Sequence, residues 1–497
     1  MKELIGLIPA AGKGLRLHPD AEHLPKPLFK IDGIPILQRN IELMHDALRI
    51  RQIYILVGYK KEKIISELGD GDKFGVDIRY IAVDDVNKGL AEGIFLAKGH
   101  IHDVFCVILG DEIYYNSNHN EMMDLLEKDF SIICGIKEVK NPFVIKKNYS
   151  VEIENGQIVS LEEKPETIKN NYLGCGTYLF KPEFFDYIKI TPPSPRTKRV
   201  ELIDVINVVA KKEGKVYPFM LQGEYINVND VDGYNLANYT LRSLDLNKKS
   251  VSLIIPAYNE EFSLPYVIDD FKDQVDEIVV VNNNSRDKTE EIARQKGAKV
   301  LAGSFTGYGD ALKFGMDNAQ GDILILAEAD GSFFARDLGK ILEYLKDADM
   351  VLGTRTTKQM IEQAANMPFL LRWGNVIVAK LIELLWLYKE PRLTDVGCTY
   401  RGIWKSSYLE IRDSLKGAGP EFSPEMIIEA IHHNKRVIEI PITYSGRIGG
   451  ESKFSKNLLA NTRTALRMLK LIFLKRIALW GVLGASFEFA GTGAMWV

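Results

Sequence analysis

A short apolar run that ends in a small-residue loop opens the chain and constrains its fold more than any other feature. Leu4 to Ile8 predict a buried strand that stops at Pro9. The following loop contains four small residues: Ala10, Ala11, Gly12 and Gly14. Such a loop exposes backbone N–H groups to an anion, and two cations follow, Arg16 and Lys26. The pattern predicts a triphosphate site, with a simple turn bearing surface charges as the alternative.

The segments PAAGKGLRL and LPKPLFKIDGIPIL resemble the signature of sugar-1-phosphate nucleotidyltransferases, and the resemblance extends to about Asn238. Enzymes of this family make NDP-sugars from an NTP and a sugar-1-phosphate. The resemblance implies that the loop holds the NTP phosphates. It also implies that Arg16 promotes departure of pyrophosphate and that Lys26 steadies the transferring phosphoryl group.

Two residues are candidate metal ligands in this half. Asp111 directly follows the apolar run VFCVILG, so its carboxylate is well placed to hold Mg²⁺ (or Mn²⁺) against phosphates. The family has a metal-binding aspartate at this position. Its second aspartate is replaced here by Asn227, in the segment YINVND. Asparagine can coordinate a cation through its carbonyl oxygen without supplying charge, so Asn227 is the predicted second ligand.

Two further segments resemble the parts of this family that bind the nucleobase and the sugar. KGLAEG contains Gly89, which would pack on the nucleobase, and Asp84 stands five residues before it. A carboxylate there only accepts hydrogen bonds, which favours a pyrimidine; a simple loop residue is the alternative. Glu163 and Lys164 resemble the acid that binds sugar hydroxyls and the lysine that binds the sugar phosphate. Gly176 resembles the strand that lies along the sugar.

A second series of apolar runs begins at Val251 and carries PAYNEE, VVVNNNSRDKT, GYGDALKFG and ILAEADGSF in that order. This order resembles family 2 glycosyltransferases, particularly those that act on polyprenyl phosphates, from about Val251 to Lys456. The resemblance implies a nucleotide pocket that contains Pro256, Tyr258, Glu260 and Asn283. It also implies a divalent cation held by Glu328 and Asp330, since two carboxylates at one strand end repel each other unless a cation lies between them.

The candidate residues of this second domain also include an acceptor-side element and a later loop. Asp395, in TDVGCTYR, is the candidate base for a hydroxyl acceptor, and a capping or salt-bridging residue is the alternative. Glu425 is interpreted as structural or acceptor-orienting. Arg447 and Lys453 match the family's loop of the form R-x-x-G-x-S-K, which implies that they close over the diphosphate of the donor.

The length of the chain indicates more than one domain, and its net charge bears on the class of partner. A chain of 497 residues is too long for one core, and its net charge of −4 gives no basic excess for a nucleic-acid partner. We predict an α/β fold with two consecutive doubly wound domains, Rossmann-like and glycosyltransferase-A-like, and a hydrophobic C-terminal helical tail. The predicted boundaries are 1–245 for the nucleotidyltransferase domain, 246–456 for the glycosyltransferase domain and 457–497 for the tail.

The tail contains two different patterns. A basic amphipathic stretch after Ser455 predicts a helix on an anionic membrane surface, and a helix packed on the domain is the alternative. Ile477 to Val497 then form 21 residues with a single charge, Glu488, close to the ~20 needed to cross a bilayer. This segment is predicted to span a membrane or to begin a longer membrane domain, with the preceding cations on the cytoplasmic side.

The sequence therefore predicts a bifunctional enzyme on the cytoplasmic face of a membrane. Its first domain would make an NDP-sugar from an NTP and a sugar-1-phosphate, and its second would transfer a sugar, with inversion, to a lipid phosphate or related acceptor. Two alternatives stay open. The first domain could activate a polyol or choline phosphate, or it could only bind nucleotide and regulate the transferase.

Overall fold

The computed structural model describes residues 4–12, 24–85, 89–362, 369–448, 462 and 464–477. The chain divides into two compact units, Met1–Leu241 and Arg242–Val497. Each unit contains a mixed sheet with helices on it. The predicted α/β class with two consecutive domains is confirmed. Three predicted site residues, Gly14, Arg16 and Lys453, lie outside the described residues.

The described part of the first unit is built on one large mixed sheet and two short ribbons. Its strands are β1 (Ile5–Pro9), β2 (Lys30–Ile31), β3 (Ile34–Pro35), β4 (Gln52–Val57), β5 (Asp77–Ala82), β6 (Phe105–Ile108), β7 (Glu112–Tyr115), β8 (Ile132–Glu138), β9 (Tyr149–Glu154), β10 (Gln157–Glu163), β11 (Tyr172–Phe180), β12 (Val216–Met220) and β13 (Glu224–Asn227). The large sheet has the order β10-β9-β11-β6-β1-β4-β5, and β8 joins β11 to β12. β2 pairs with β3, and β7 with β13.

The parallel part of this sheet positions the site. β1 runs parallel to β4 and β6, so the loops that follow β1 and β6 leave the same edge of the sheet. Ligands of such sheets bind at the carboxyl ends of the strands. β11 runs antiparallel to β6, β8 and β9, and brings its own backbone beside the end of β6.

Helices cover this sheet because their apolar residues recur at helical spacing. In α5, Leu202, Val205, Ile206 and Val209 are all buried, which is the i, i+3, i+4, i+7 pattern of one helix face. The helices are α1 (Ile36–Asp46), α2 (Lys61–Leu68), α3 (Leu90–Phe95), α4 (Phe184–Ile190), α5 (Leu202–Glu213) and α6 (Val231–Asp245). The division between the two units falls within α6.

The second unit is built on a seven-stranded sheet within its described residues. Its strands are β14 (Val251–Ala257), β15 (Glu277–Asn283), β16 (Lys299–Gly303), β17 (Ile323–Leu326), β18 (Met350–Thr354), β19 (Arg401–Trp404) and β20 (Val437–Pro441). The order is β16-β15-β14-β17-β19-β18-β20. β19 runs antiparallel to its neighbours β17 and β18, while the other pairs are parallel.

The helices of the second unit include a long apolar one and a C-terminal one. They are α7 (Leu264–Phe271), α8 (Thr289–Gln295), α9 (Tyr308–Asn318), α10 (Leu338–Leu345), α11 (Phe369–Leu385), α12 (Lys405–Ile411), α13 (Phe422–His432) and the C-terminal helix, residues 464–477. Across the described ranges, no helix combines the length and apolar character that a membrane crossing requires.

The C-terminal helix packs on the second unit through one face. Ile472 is fully buried in the core, and Lys475 contacts two glutamates of α13. The alternative prediction, a helix packed on the domain, therefore describes this face. The prediction of a helix on a membrane surface stays a prediction for the opposite, exposed face. The predicted membrane segment beyond residue 477 lies outside the described residues.

Candidate functional site

The loop after β1 begins at the edge where the parallel strands end. The backbone N–H of Ala10, which is buried, donates to the carbonyl of Leu56 in β4 at 2.9 Å. The carbonyl of Ala11 accepts from the N–H of Tyr59 at 3.2 Å. Gly12 is exposed. The first residues of the predicted phosphate loop are therefore tied to β4 and the loop that follows it, which orients the chain out of the sheet edge.

Lys26 joins two parts of the first unit that are distant in sequence. It lies in a short 3-10 turn, Lys26–Leu28, that follows Pro25 and contains Pro27. Its Nζ donates to Asp111 Oδ2 at 2.7 Å and to Asn229 Oδ1 at 2.9 Å. Prolines restrict the backbone on both sides of Lys26, so its ammonium group is held at the end of β6. The structure thus brings together two of the predicted catalytic residues.

Asn227 is held beside Asp111 by the β7–β13 ribbon. Asn227 pairs in register with Glu112, and the N–H of Val228 donates to the carbonyl of Asp111 at 2.9 Å. The side-chain Nδ2 of Asn227 donates to Asn148 at 3.0 Å. Its Oδ1 is buried and has no hydrogen-bond partner in the described part of the protein. An unpaired buried carbonyl oxygen is costly, and a cation ligand is one role that would satisfy it.

The donor set around Asp111 therefore fits a hard divalent cation. One carboxylate and one amide oxygen are oxygen ligands of the kind that Mg²⁺ and Mn²⁺ prefer. Over the described ranges, no group of three or more His, Cys, Asp or Glu side chains is arranged to hold a metal. A cation at Asp111 and Asn227 would consequently complete its coordination with oxygens of the substrate phosphates and water, as Mg²⁺ commonly does.

Glu112 is a buried acid at this site that the sequence reasoning missed. Its carboxylate accepts hydrogen bonds from the hydroxyls of Tyr114 (2.5 Å) and Tyr225 (2.8 Å) and from the N–H of Gly176 (2.7 Å). Burial, together with the charge of Asp111, raises the pKa of Glu112 to about 7. Glu112 thus ties β11, the predicted sugar strand, to the β7–β13 ribbon, which carries the predicted metal ligand Asn227. The sequence signal that could have identified Glu112 is its place directly after Asp111 and shortly before two tyrosines.

The predicted sugar-binding acid is paired with a cation that was also missed. Glu163 ends β10, and its Oε2 lies 2.7 Å from the guanidinium of Arg196. The N–H of Lys164 donates to the carbonyl of Asn148 at 2.7 Å, so Lys164 is fixed near the residue that holds Asn227. The signal in the sequence was a proline-flanked arginine in PPSPRTKR.

The predicted base-binding residues lie in two different settings. Gly89 precedes α3 with a φ of 104°, and a Cβ there would lie 3.2 Å from the carbonyl of Val200. This position therefore requires glycine for its backbone conformation and tolerates little added bulk. Asp84 is exposed in the loop after β5.

In the second unit, the loops after β14 and β15 interlock. The N–H of Glu260 donates to Thr289 Oγ1 at 2.8 Å, and Ser263 Oγ donates to Glu260 Oε2 at 2.7 Å. Pro256 lies within β14, and Tyr258 is 40% exposed just beyond it. The Oδ1 of Asn283, at the end of β15, accepts from the N–H of Phe305 at 2.9 Å. These predicted nucleotide-binding residues therefore lie along adjacent strand ends.

Glu328 and Asp330 follow β17 and meet Arg447. The guanidinium Nε of Arg447 lies 3.1 Å from Asp330 Oδ2, and its Nη2 lies 4.0 Å from Glu328 Oε2. Thr399 Oγ1 donates to Glu328 Oε1 at 2.7 Å. Burial and the charge of Asp330 raise the pKa of Glu328 to about 7. A buried and a partly buried carboxylate that repel each other are suited to a divalent cation, and Arg447 supplies part of the compensating charge.

Asp395 is committed to an ion pair. Arg355 Nε donates to Asp395 Oδ2 at 2.8 Å and Arg355 Nη2 to Oδ1 at 2.9 Å. Burial alone would raise the pKa of Asp395, but the charge and hydrogen bonds of Arg355 outweigh it, and the pKa is lowered. A general base works best with a pKa near the operating pH and a free oxygen. The geometry thus favours the salt-bridging alternative over the candidate base.

Comparisons with known proteins cover both units. Residues 5–243 match the family described as nucleotidyl transferase, and residues 252–409 match glycosyl transferase family 2. The bifunctional protein GlmU of Methanocaldococcus jannaschii is 36% identical over 227 residues, which cover 45% of this chain and 50% of that protein. The UTP--glucose-1-phosphate uridylyltransferase AglF of Haloferax volcanii is 31% identical over 228 residues, which cover 46% of this chain and 88% of that protein.

The chain spans about half the length of the GlmU relatives that it matches. Among solved structures, a UDP-glucose pyrophosphorylase complexed with UDP-glucose is 23% identical, covers 49% of this chain and 99% of that one, and has a TM-score of 0.43. The matched residues contain the Lys26, Asp111 and Asn227 site in the first unit and Glu328 and Asp330 in the second. The chain therefore belongs to the nucleotidyl transferase family through its N-terminal half, which is followed by a domain of glycosyl transferase family 2.

Proposed function

We propose that the first unit transfers a nucleotidyl group from an NTP to a sugar-1-phosphate, with Mg²⁺ or Mn²⁺ as cofactor. The observation that carries this proposal is the convergence of Lys26, Asp111 and Asn227 at one end of the sheet, where the amide oxygen of Asn227 has no hydrogen-bond partner among the described residues. The ammonium group of Lys26 suits the phosphates of an NTP, and the oxygens of Asp111 and Asn227 suit its divalent ion.

In the proposed reaction, an oxygen of the sugar phosphate attacks the α-phosphorus, the bond to the bridging oxygen breaks, and pyrophosphate leaves. Lys26 holds the transferring phosphoryl group, and Arg16 assists departure of pyrophosphate. Glu163 binds sugar hydroxyls, Lys164 the sugar phosphate, and Gly176 lies along the sugar. A bound divalent cation, held by Asp111 and Asn227, would neutralise charge on the phosphates.

The nucleotide is proposed to be a pyrimidine. Asp84 can only accept hydrogen bonds, which suits N3–H of uracil or thymine, or the amino group of cytosine. The Haloferax volcanii relative carries UTP and glucose-1-phosphate in its name, so that pair is the first to test.

Pyrophosphate release tests this reaction. Purified protein with Mg²⁺ is given each NTP in turn with a panel of sugar-1-phosphates, polyol phosphates and choline phosphate. Release with a sugar-1-phosphate supports the proposal. Release only with a polyol or choline phosphate would replace the sugar by a different substrate, and nucleotide binding without any release would support a regulatory domain.

We propose that the second unit transfers the sugar from the NDP-sugar to a lipid phosphate with inversion. The acceptor phosphate oxygen attacks the anomeric carbon from the face opposite the nucleotide, and the nucleoside diphosphate leaves. Glu328 and Asp330 would hold the divalent cation of the donor, and Arg447 and Lys453 would pair with its diphosphate. Pro256, Tyr258, Glu260 and Asn283 are the proposed nucleotide contacts. A phosphate acceptor is already anionic, so this reaction does not require Asp395 as a base.

A cluster of exposed apolar residues supports a lipid acceptor and a location at the cytoplasmic face of a membrane. α11 and the turn after it expose Trp373, Ile377, Leu384, Leu387 and Tyr388, each at 50% or more. The C-terminal helix exposes Leu466, Phe473, Leu474 and Ile477. Arg476 lies over the ring of Tyr388, with 5.4 Å from its guanidinium carbon to the ring centroid, so the ends of the two exposed groups adjoin. Large exposed apolar patches mark interaction sites, including membranes.

Lipid extraction tests the second reaction. The NDP-sugar made by the first unit, radiolabelled in the sugar, is incubated with protein, Mg²⁺ and vesicles that contain a polyprenyl phosphate. We expect label in the organic phase as a sugar phosphodiester of inverted configuration. Label that stays in the aqueous phase with every lipid phosphate, while soluble acceptors are glycosylated, would exclude the lipid acceptor.

A further inference from the structure

The C-terminal helix, residues 464–477, lies beyond the residues that match the glycosyltransferase family, which end at 409. Its Lys475 is nonetheless partly buried, with its ammonium group between two acids. Lys475 Nζ lies 2.8 Å from Glu425 Oε1 and 2.7 Å from Glu429 Oε1, and it donates to the carbonyl of Ser414 at 2.6 Å. The side chains of Glu425 and Glu429 are 0% and 6% exposed. Lys475 lies between these two carboxylates, so removing it would take away a cation that both share and would increase their mutual repulsion.

Glu425 in turn fixes a loop, Leu415–Gly419, that precedes α13. Its Oε1 accepts from the N–H of Lys416 at 2.9 Å, and its Oε2 accepts from the N–H of Gly417 at 2.6 Å. Carboxylates that accept two backbone N–H groups hold a loop strongly, because the bonds are charge-assisted. Lys475 and the loop therefore meet at one carboxylate.

The loop packs on the start of α9. The carbonyl of Ala418 accepts from the N–H of Asp310 at 3.2 Å. A Cβ at Gly309 would lie only 2.6 Å from the carbonyl of Gly417, so the close approach of the two segments depends on that glycine. The loop thus sets the position of the first turn of α9.

The first turn of α9 reaches the proposed metal-binding acid. Tyr308 OH donates to Thr399 Oγ1 at 2.6 Å, and Thr399 Oγ1 donates to Glu328 Oε1 at 2.7 Å. Tyr308 is partly buried, with neighbours in the core of the unit. The described contacts therefore run without a gap from Lys475 through Glu425, the loop and α9 to Glu328.

We propose that Lys475 is a positioning residue of the glycosyltransferase, which anchors Glu425 and the Leu415–Gly419 loop and thereby holds Glu328 in its active orientation. This inference rests on the proposed sugar transfer by the second unit. It makes the C-terminal helix part of the transferase, in addition to any role at a membrane. Lys475 does not contact the reacting atoms, so its effect reaches the site only through this network.

The test compares Lys475→Met and Lys475→Arg with a control, Lys470→Met, which removes an exposed cation of the same helix. The full chain is used, with a short-chain, water-soluble prenyl phosphate as acceptor. We expect Lys475→Met to lower kcat for transfer about tenfold, in the range that a small misplacement of catalytic groups produces. Lys475→Arg should recover most of that loss because it keeps the charge, and Lys470→Met should retain the original rate.

Hydrogen exchange adds a readout that does not depend on transfer. In Lys475→Met, the amides of Lys416 and Gly417 should exchange faster, because their acceptor is released, while pyrophosphate release by the first unit stays unchanged. If Lys475→Met does not fold, Glu429→Gln carries the same test, since it removes one of the two charges that hold Lys475 but leaves both oxygens of Glu425 for the loop.

The outcomes separate the two proposals. Full transfer and unchanged exchange in Lys475→Met overturn the positioning role, as does Lys475→Arg that is as impaired as Lys475→Met. No transfer by the original protein counts against the proposed function instead, and the exchange data then still decide whether Lys475 anchors the loop.

Discussion

The two units place acids at the ends of buried strands but neutralise them differently. In the first unit, Asp111 pairs with Lys26 at 2.7 Å, and the side chain of Asp111 stays 32% exposed. In the second, Asp330 is nearly buried and pairs with Arg447 at 3.1 Å, while Glu328 stands 4.0 Å from the same guanidinium. A lysine from a preceding loop serves one site, and an arginine from the far end of the domain serves the other.

This difference teaches where the compensating cation of each site comes from. Lys26 is fixed locally by its prolines and precedes β6, although the first site also needs Asn227 and Asn229 near the end of its unit. The second site needs residues 399 and 447, which lie well beyond β17. In the second site, burial and then the charge of Asp330 raise the pKa of Glu328.

Replacing Asp111 should separate the activities of the two units most strongly. Asp111→Ala removes the carboxylate that Lys26 pairs with, and we expect pyrophosphate release to fall by about a thousandfold, near the upper range for loss of one preorganised electrostatic group. Transfer of sugar from supplied NDP-sugar should be unchanged. Both rates are measured on the same preparation.

Glu328→Gln is the matched variant in the second unit. It keeps the size and the hydrogen bond to Thr399 but removes the charge, so transfer should fall by about a hundredfold while pyrophosphate release continues. A loss of both activities in either variant would show that the two sites do not act separately.

Asp395→Asn tests the ion pair against catalysis. The buried guanidinium of Arg355 would lose its carboxylate partner, and breaking a buried pair costs about 3–5 kcal/mol. We expect urea unfolding of the second unit to shift to lower concentration by that free energy, with kcat of the folded fraction within about threefold. A variant of normal stability whose kcat has collapsed would restore Asp395 as the base.

Asn227→Ala tests the unpaired amide oxygen of the first unit. Without that oxygen, the Mg²⁺ concentration for half-maximal pyrophosphate release should rise about tenfold, at the low end of losses reported for metal-site support. Direct Mn²⁺ binding, followed by electron paramagnetic resonance, should weaken in parallel. Asn227→Asp, which restores an oxygen ligand, is the control, and unaltered Mn²⁺ binding in Asn227→Ala would remove Asn227 from the metal site.

The smallest predicted effect is a pH dependence of stability that comes from one buried histidine of the first unit. His119 lies between Ser117 (2.7 Å) and Thr177 (3.2 Å), and burial lowers its pKa to about 3. Below pH 6.5 the unfolded chain takes up a proton that the folded unit refuses, so stability falls as the pH drops toward 3. Between pH 7.5 and pH 5.5, His119 should lower the free energy of unfolding by about 1.4 kcal/mol.

Chemical denaturation at pH 7.5 and 5.5 measures this term, with His119→Gln as the control because glutamine does not titrate in this range. The pH-dependent loss of stability should be smaller in the variant by about that amount. An equal loss in both proteins would assign the pH dependence to other groups.

Strand periodicity and motif order were enough to predict much of the architecture. The apolar runs that end at Pro9 and before Asp111, and the one that begins at Val251, are strands in the structure or border one, because fully buried parallel strands read as continuous apolar segments. The antiparallel insertion of β19 between β17 and β18 could not be predicted, since its partners are set by packing far along the chain. The multiple antiparallel partners of β11 have the same origin.

The sequence by itself determined the two-domain α/β class and the types and order of the candidate phosphate-binding residues, since these follow from local pattern and spacing. Only the tertiary structure decided their pairing. It joined Glu112 to the N–H of Gly176 and Asp395 to Arg355, and it placed the ammonium group of Lys475 between Glu425 and Glu429. Ion pairs and hydrogen bonds depend on distances between residues that the linear pattern does not contain, so charge alone could not distinguish a base from a salt bridge or a solvated lysine from one that pairs within the protein.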